Sequence, residues 1–151
     1  MIKGCIFHDT TVALHDRRLF EIVEEAYGRR EKTLIFAGSE ERAAEIDRFL
    51  WILRQDSFIP HQVFHSREED VSVLVAIVAA EWNPLRAGIL IADGRCSMKF
   101  ASGFSLVHEF VDRTSRETHA ACRDRYRAYQ DKKIHVEYLK TGVWKGAVPK
   151  K

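Results

Sequence analysis

Short apolar runs of strand length alternate with segments of helical period through the first half of this 151-residue chain, and that alternation restricts the fold more than any other feature. Ile2 to Phe7 suits a strand. Past the polar break Asp9-Thr10-Thr11, apolar residues at Leu19, Ile22, Val23 and Ala26 keep the spacing of one helix face. Thr33 to Ala37 reads as a buried strand. Gly38-Ser39 then supplies a turn and an N-cap, with Glu40 and Glu41 in the first helical turn, where the dipole favours acids. The stripe Ala43, Ile46, Leu50, Leu53 completes an amphipathic helix. Val71 to Val78 is rich in β-branched residues, Ile89 to Ala92 ends at an Asp93-Gly94 turn, and Phe104 to Val111 is a further apolar stretch. Strands that alternate with helices pair in parallel through right-handed crossovers. The expectation is a single-domain, three-layer α/β/α fold over residues 1–151, with a mainly parallel sheet.

Composition removes several classes. The longest uncharged apolar run, residues 71–80, is about half the roughly 20 residues needed to span a bilayer. Gly4 to Phe7 after Lys3 is too short for a signal-peptide apolar region. Cys5, Cys96 and Cys122 form no CxxC and leave an odd thiol under any pairing, which fits a reducing compartment. A cytoplasmic protein that does not engage membranes is expected. The net charge of +2 conceals a division: residues 1–94 carry 11 basic and 16 acidic side chains (−5), residues 95–151 carry 13 and 6 (+7). An acidic partner for the C-terminal third follows.

Thr114-Ser115-Arg116-Glu117 has capping-box spacing, Thr followed three residues later by Glu, and predicts a helix reaching about Gln130. Arg116, His119, Arg123 and Arg127 fall on it at steps of three or four and form a basic stripe. Cys122, Tyr126 and Tyr129 form the neighbouring stripe. One face is cationic and its flank is aromatic.

Catalytic motifs are sparse. The first two strand-to-helix turns, His8-Asp9-Thr10-Thr11 and Gly38-Ser39-Glu40-Glu41, lack the glycine spacing of a phosphate-cradling loop, so no nucleotide cofactor is expected. His61 and His65 stand four apart, but Pro60 argues against a shared helix face, and no motif supplies an acidic third ligand; no metal is expected. No GxSxG elbow occurs, and Cys96 after Gly94-Arg95 reads as a structural thiol. The aromatic group Trp51, Phe58 and Phe64 at the exit of the second helix reads either as core or as a pocket wall.

Taken together, Asp9-Thr10-Thr11, Leu50-Trp51, Ser57-Phe58-Ile59-Pro60-His61 and Arg125-Tyr126-Arg127-Ala128-Tyr129, in that order, resemble the chi subunit of bacterial DNA polymerase III. Between about Arg67 and Phe104 no block specific to that family is found. The resemblance implies a non-catalytic accessory subunit of the replicative polymerase with a Rossmann-like α/β fold and no cofactor. It would connect the clamp loader, through the psi subunit, to the acidic, Phe-terminated C-terminal tail of single-stranded DNA-binding protein, and meet DNA mainly through that partner. The peptide-site positions that match are Trp51, Phe58, Arg123, Tyr126 and Arg127, joined by His119, where the family pattern has a Lys, and Val111, which depends on a one-residue gap.

In the mechanism this implies, the terminal Phe ring enters a pocket bounded by Trp51, Phe58 and Val111, with Tyr126 on its flank. Arg123 and Arg127 bind the carboxylates. Two other readings stand beside it: a direct single-stranded nucleic-acid binder, since arginines with tyrosines also follow phosphates and stack bases, and a small α/β enzyme using Cys96 or His61.

Overall fold

The computed structural model describes residues 2–53, 58–66 and 72–140. In chain order the elements are β1 (Gly4–His8), α1 (Val12–Gly28), β2 (Thr33–Phe36), α2 (Glu40–Ile52), β3 (His61–Val63), β4 (Val75–Val78), β5 (Ile89–Ala92), α3 (Met98–Ala101), β6 (Leu106–Phe110), α4 (Arg116–Asp131) and β7 (His135–Leu139). The strands form one seven-stranded sheet in the order β3-β4-β2-β5-β6-β1-β7. Every pairing between neighbours is parallel. Strands β2, β4 and β5 are buried at every residue, as central parallel strands covered on both faces must be.

Alternation along the strands divides the core in two. Ile35, Val75, Ile77 and Ile91 point to one face and pack under α1 and α2, against Leu19, Ile22, Val23, Ala43, Ile46 and Leu50. Leu34, Phe36, Ala76, Val78, Leu90 and Ala92 point to the other, where Phe104, Val107 and Tyr129 of α4 join them. The three-layer fold is therefore as expected, with a sheet that is parallel throughout. The β2 and β5 ends nearly touch: a Cβ on Gly94 would stand 2.7 Å from the Ala37 carbonyl oxygen, and Gly38 takes a positive φ of 87°.

Local expectations differ from the structure at four places. Strand β4 starts only at Val75, and Val71 lies outside the described residues. Leu53 does not join the α2 core stripe; it caps the helix and is exposed. Strands β3 and β7, at the two edges of the sheet, were not expected; β3 has only three residues, too few for a pattern, whereas Ile134, Val136 and Tyr138 alternate into β7 and line one face. The capping box on α4 sits one residue later than Thr114. Ser115 is the N-cap and its hydroxyl accepts from the Thr118 N–H at 3.1 Å, while the Thr118 hydroxyl accepts from the Ser115 N–H at 3.1 Å. Thr114 instead donates its hydroxyl to Asp112 at 2.6 Å.

Candidate functional site

Helix α4 is seated by a buried ionic pair. Arg125 donates to the Glu109 carboxylate at 2.6 Å and to the Cys96 carbonyl at 2.5 Å, and Tyr129 donates to the same Glu109 oxygen at 2.6 Å. Burial pushes the Glu109 carboxyl above the ordinary value, and the guanidinium and phenol beside it pull it back. The guanidinium is held above its ordinary value by that carboxylate despite its own burial. Of the Arg-Tyr-Arg-Ala-Tyr block, Arg125 and Tyr129 thus point inward and hold the helix, which turns Arg123 and Arg127 outward. Their outward position follows from helical spacing once the inward pair is fixed.

Between α4 and the β1 and β7 edge lies a cavity of about 370 Å³, lined by Phe7, Val111, His119, Cys122, Arg123, Tyr126, Arg127, Gln130 and Tyr138. Its base is aromatic. The Phe7 and Tyr126 rings stand 5.2 Å apart, and the Tyr126 and Tyr138 rings 6.3 Å apart and nearly perpendicular. Arg123 and Arg127 form an exposed rim, and among the described residues neither has a carboxylate within salt-bridge distance. An apolar floor below unneutralised guanidinium groups suits a ligand with an apolar end and a negative charge next to it.

Five of the seven expected site residues, Val111, His119, Arg123, Tyr126 and Arg127, line this cavity. Trp51 and Phe58 do not, and the pocket expected between them and α4 is corrected. Trp51 ends α2, on the opposite face of the sheet and over its other edge, where its ring lies 5.3 Å from Phe58 and 4.4 Å from His61. Between β4 or β3 there and β1 or β7 here are four to six strand spacings, roughly 19–29 Å. Strand alternation and crossover direction, which pairwise motifs along a sequence do not convey, separate the two groups. Trp51 is 46% exposed, Ile52 61% and Phe58 66%, so Trp51 is not core and the three form an open apolar patch.

Phe7, Gln130 and Tyr138 line the cavity without having been singled out from the sequence. Phe7 ends the strand expected over Ile2 to Phe7, and the signal that would have found Tyr138 is the alternation Ile134, Val136, Tyr138.

The larger cleft, about 830 Å³, opens at the carboxyl ends of β1, β5, β6 and β7, where open parallel sheets often bind nucleotides. Here it is occupied by its own ion pairs. Arg42 binds Asp93 at 2.8 Å and Asp16 at 2.7 Å, His15 meets Asp93 at 2.7 Å, and Arg113 binds Asp9 at 2.6 Å.

The residues of the enzyme reading are held in structural roles. Burial pushes the Cys96 thiol up to about 11, away from thiolate chemistry. The His61 nitrogens face the Ile59 carbonyl at 2.7 Å and the Asp47 side chain at 3.2 Å. Among the described residues no group of three or more His, Cys, Asp or Glu is placed to hold a metal ion, and no helix is long and apolar enough to cross a membrane.

Fold and cavity together define a class: an open, all-parallel α/β domain whose apolar cavity carries a cationic rim on a single helix. A family model described as DNA polymerase III chi subunit, HolC, matches residues 3–137. The chain belongs to that family and is an accessory subunit of the DNA-replicating polymerase III complex. Relatives named DNA polymerase III subunit chi include one from Escherichia coli (strain K12), 27% identical over 141 residues and covering 91% of this chain and 93% of that one. Another, from Pseudomonas aeruginosa, is 29% identical over 110 residues, 73% of this chain and 75% of that one. In fold alone, the chain is similar to the crystal structure of T4 UvsW, with a TM-score of 0.58, 5% identity, and coverage of 91% of this chain and 41% of that one.

Proposed function

We propose that the protein is a non-catalytic, cytoplasmic adaptor that captures the acidic, Phe-terminated tail of single-stranded DNA-binding protein on α4 and joins it, through psi, to the clamp loader. The observation that carries this reading is the α4 cavity, apolar within and rimmed by Arg123 and Arg127 without carboxylate partners among the described residues. A terminal Phe ring entering it gains on the order of 2 kcal/mol from burial. Its chain-terminal carboxylate then lies at the rim, where a planar guanidinium grips both oxygens. A link requires two surfaces, and Trp51, Ile52 and Phe58 supply the second. An exposed apolar patch this far from the cavity suits a protein partner, and psi is assigned to it.

Fluorescence anisotropy tests the capture with a labelled acidic, Phe-ended peptide, its C-terminally amidated twin and a single-stranded oligonucleotide. The free-acid peptide should bind and the amidated twin should bind far more weakly. Equal affinity for the two peptides sinks the model. Tight binding to the oligonucleotide alone, falling steeply with salt, would assign the arginines to phosphates instead.

A further inference from the structure

The α4 cavity has a wall that comes from outside α4 and is fastened by residues that do not line it. Tyr138 stands on the edge strand β7, and its ring lines the cavity edge-to-face with Tyr126, 6.3 Å away. An exposed tyrosine on an edge strand normally samples several rotamers, and this one is tied down. Its hydroxyl donates to the Asp9 carboxylate just past the end of β1. Arg113, in the loop between β6 and α4, grips that carboxylate with two N–H groups, at 3.0 and 2.6 Å, and donates to the Tyr138 hydroxyl at 3.2 Å. Three segments distant in sequence meet in this closed ring of hydrogen bonds. Asp9 and Arg113 line the larger cleft, not the cavity, and Val111 lines both.

The arrangement has an electrostatic side. Asp9 lies near His119 on the cavity rim, so a carboxylate adjoins a site that the capture reading assigns to acidic ligands. Arg113 neutralises it where it stands. Its N–H groups hold the Asp9 carboxyl below the usual carboxylate range, and burial together with the carboxylate raises the Tyr138 phenol above its ordinary value.

From this geometry we infer that Tyr138 is a specificity-determining wall of the cavity, selecting ligands with an aromatic end, and that Asp9 and Arg113 are its positioning residues. The inference rests on the peptide-capture reading and adds to it the origin of the preference for an aromatic end. A ring already fixed in place loses little freedom when a second ring stacks on it. Selectivity should therefore reside in Tyr138 and charge recognition in Arg123 and Arg127, two terms that vary independently.

The test is anisotropy with three acidic peptides, ending in Phe, in Leu, and in amidated Phe, on the full chain and on Tyr138→Ala, Tyr138→Phe and Arg113→Ala, with circular dichroism confirming that each variant is folded. Tyr138→Ala should weaken the Phe-ended peptide roughly tenfold and bring the Phe-to-Leu ratio near one, while the free-to-amidated ratio persists. Tyr138→Phe keeps the ring but loses its tether, and should fall between wild type and Tyr138→Ala. Arg113→Ala, without touching the ligand, should weaken all acidic peptides, and the double variant with Asp9→Asn should recover part of that loss because the exposed carboxylate is gone. If folded Tyr138→Ala keeps the wild-type Phe-to-Leu ratio, the inference is overturned while capture stands. If the wild type does not distinguish free from amidated peptide, the capture reading itself fails.

Discussion

The two faces of the sheet offer partners different kinds of surface. Over β1 and β7, α4 roofs a cavity with an aromatic base, a cationic rim and a buried ionic pair beneath it. Over β3 and β4, α2 ends in Trp51 and Ile52, which with Phe58 make an open apolar patch. A cavity bounded by charge selects a chain end. An open patch rewards area, and suits a folded or folding partner. Two recognition chemistries separated by the thickness and width of a sheet are what the proposed link requires, since both partners could then be held at once.

The largest effect should come from the pair that makes the first face possible. Arg125→Ala leaves Glu109 buried without its cation, and removing one partner of such a pair costs about 3–5 kcal/mol. Urea unfolding followed by circular dichroism should show that loss, with peptide capture falling as α4 loses its seat. A loss below about 1 kcal/mol would mean that the pair is solvated and that α4 is held by its apolar contacts alone.

Next in size is the dissociation of the two faces. Arg123→Glu should cost about 2–3 kcal/mol of peptide affinity and change stability by less than about 0.5 kcal/mol, since the side chain faces solvent. Trp51→Ala should leave peptide affinity within about twofold and weaken psi binding by about 2 kcal/mol, as buried aromatic anchors of an interface do. Titration of each variant with each partner checks the pattern. Peptide affinity lost on Trp51→Ala would return Trp51 to the tail site, against the geometry.

Much of the fold was legible because it rests on periodicity. The α1 stripe Leu19, Ile22, Val23, Ala26 is buried as spaced, and β5 ends at the Asp93-Gly94 turn. The basic and aromatic stripes of α4 were legible for the same reason, because neighbours on one helix face are fixed by the 3.6-residue turn. What spacing cannot convey is which sheet face a crossover helix covers, and this placed Trp51 beside Arg123 wrongly. It also cannot show that Arg125, alike in type to Arg123 and Arg127, turns inward to Glu109. The clamp on Tyr138 joins residues 9, 113 and 138, and no local pattern links positions so far apart.

Beneath the α1 face lies a pH-sensitive pair of histidines. His8 and His108 are buried with their nitrogens 2.9 Å apart, and Arg18, which has no acceptor, donates to His8 Nδ1 at 3.0 Å. The His8 proton therefore sits on Nε2 and is given to His108. Burial first, then the neighbouring positive charges, holds His8 well below its ordinary value and His108 down at about 3. Both folded values lie below the unfolded one, so the unfolded chain binds more protons and stability falls as pH drops below about 6.5. His108 alone should remove about 2 kcal/mol between pH 6.5 and pH 5. Urea midpoints across that range should fall, and His108→Leu should flatten the slope. A level profile in the wild type would mean that the histidines protonate in place.

The smallest expected effect sharpens the comparison most finely, because the two helices share one device. Ser39 caps α2 by accepting from the Arg42 N–H at 3.1 Å, and Ser115 caps α4 by accepting from Thr118 at the same distance. Losing an N-cap hydroxyl costs about 1 kcal/mol, so Ser39→Ala and Ser115→Ala should be destabilised alike. Thr114→Ala should cost less, since its hydroxyl serves Asp112 and not the helix. Function should separate the two caps even though stability does not. His119 and Arg123 lie one and two turns from the Ser115 cap, so fraying there loosens part of the cavity rim and should lower peptide affinity about twofold. Fraying at Ser39 loosens only the start of α2, at the far end of that helix from Trp51, and should leave both partners' affinities unchanged. Equal loss of peptide affinity in the two variants would show that the cavity depends on global stability, not on the local order of α4.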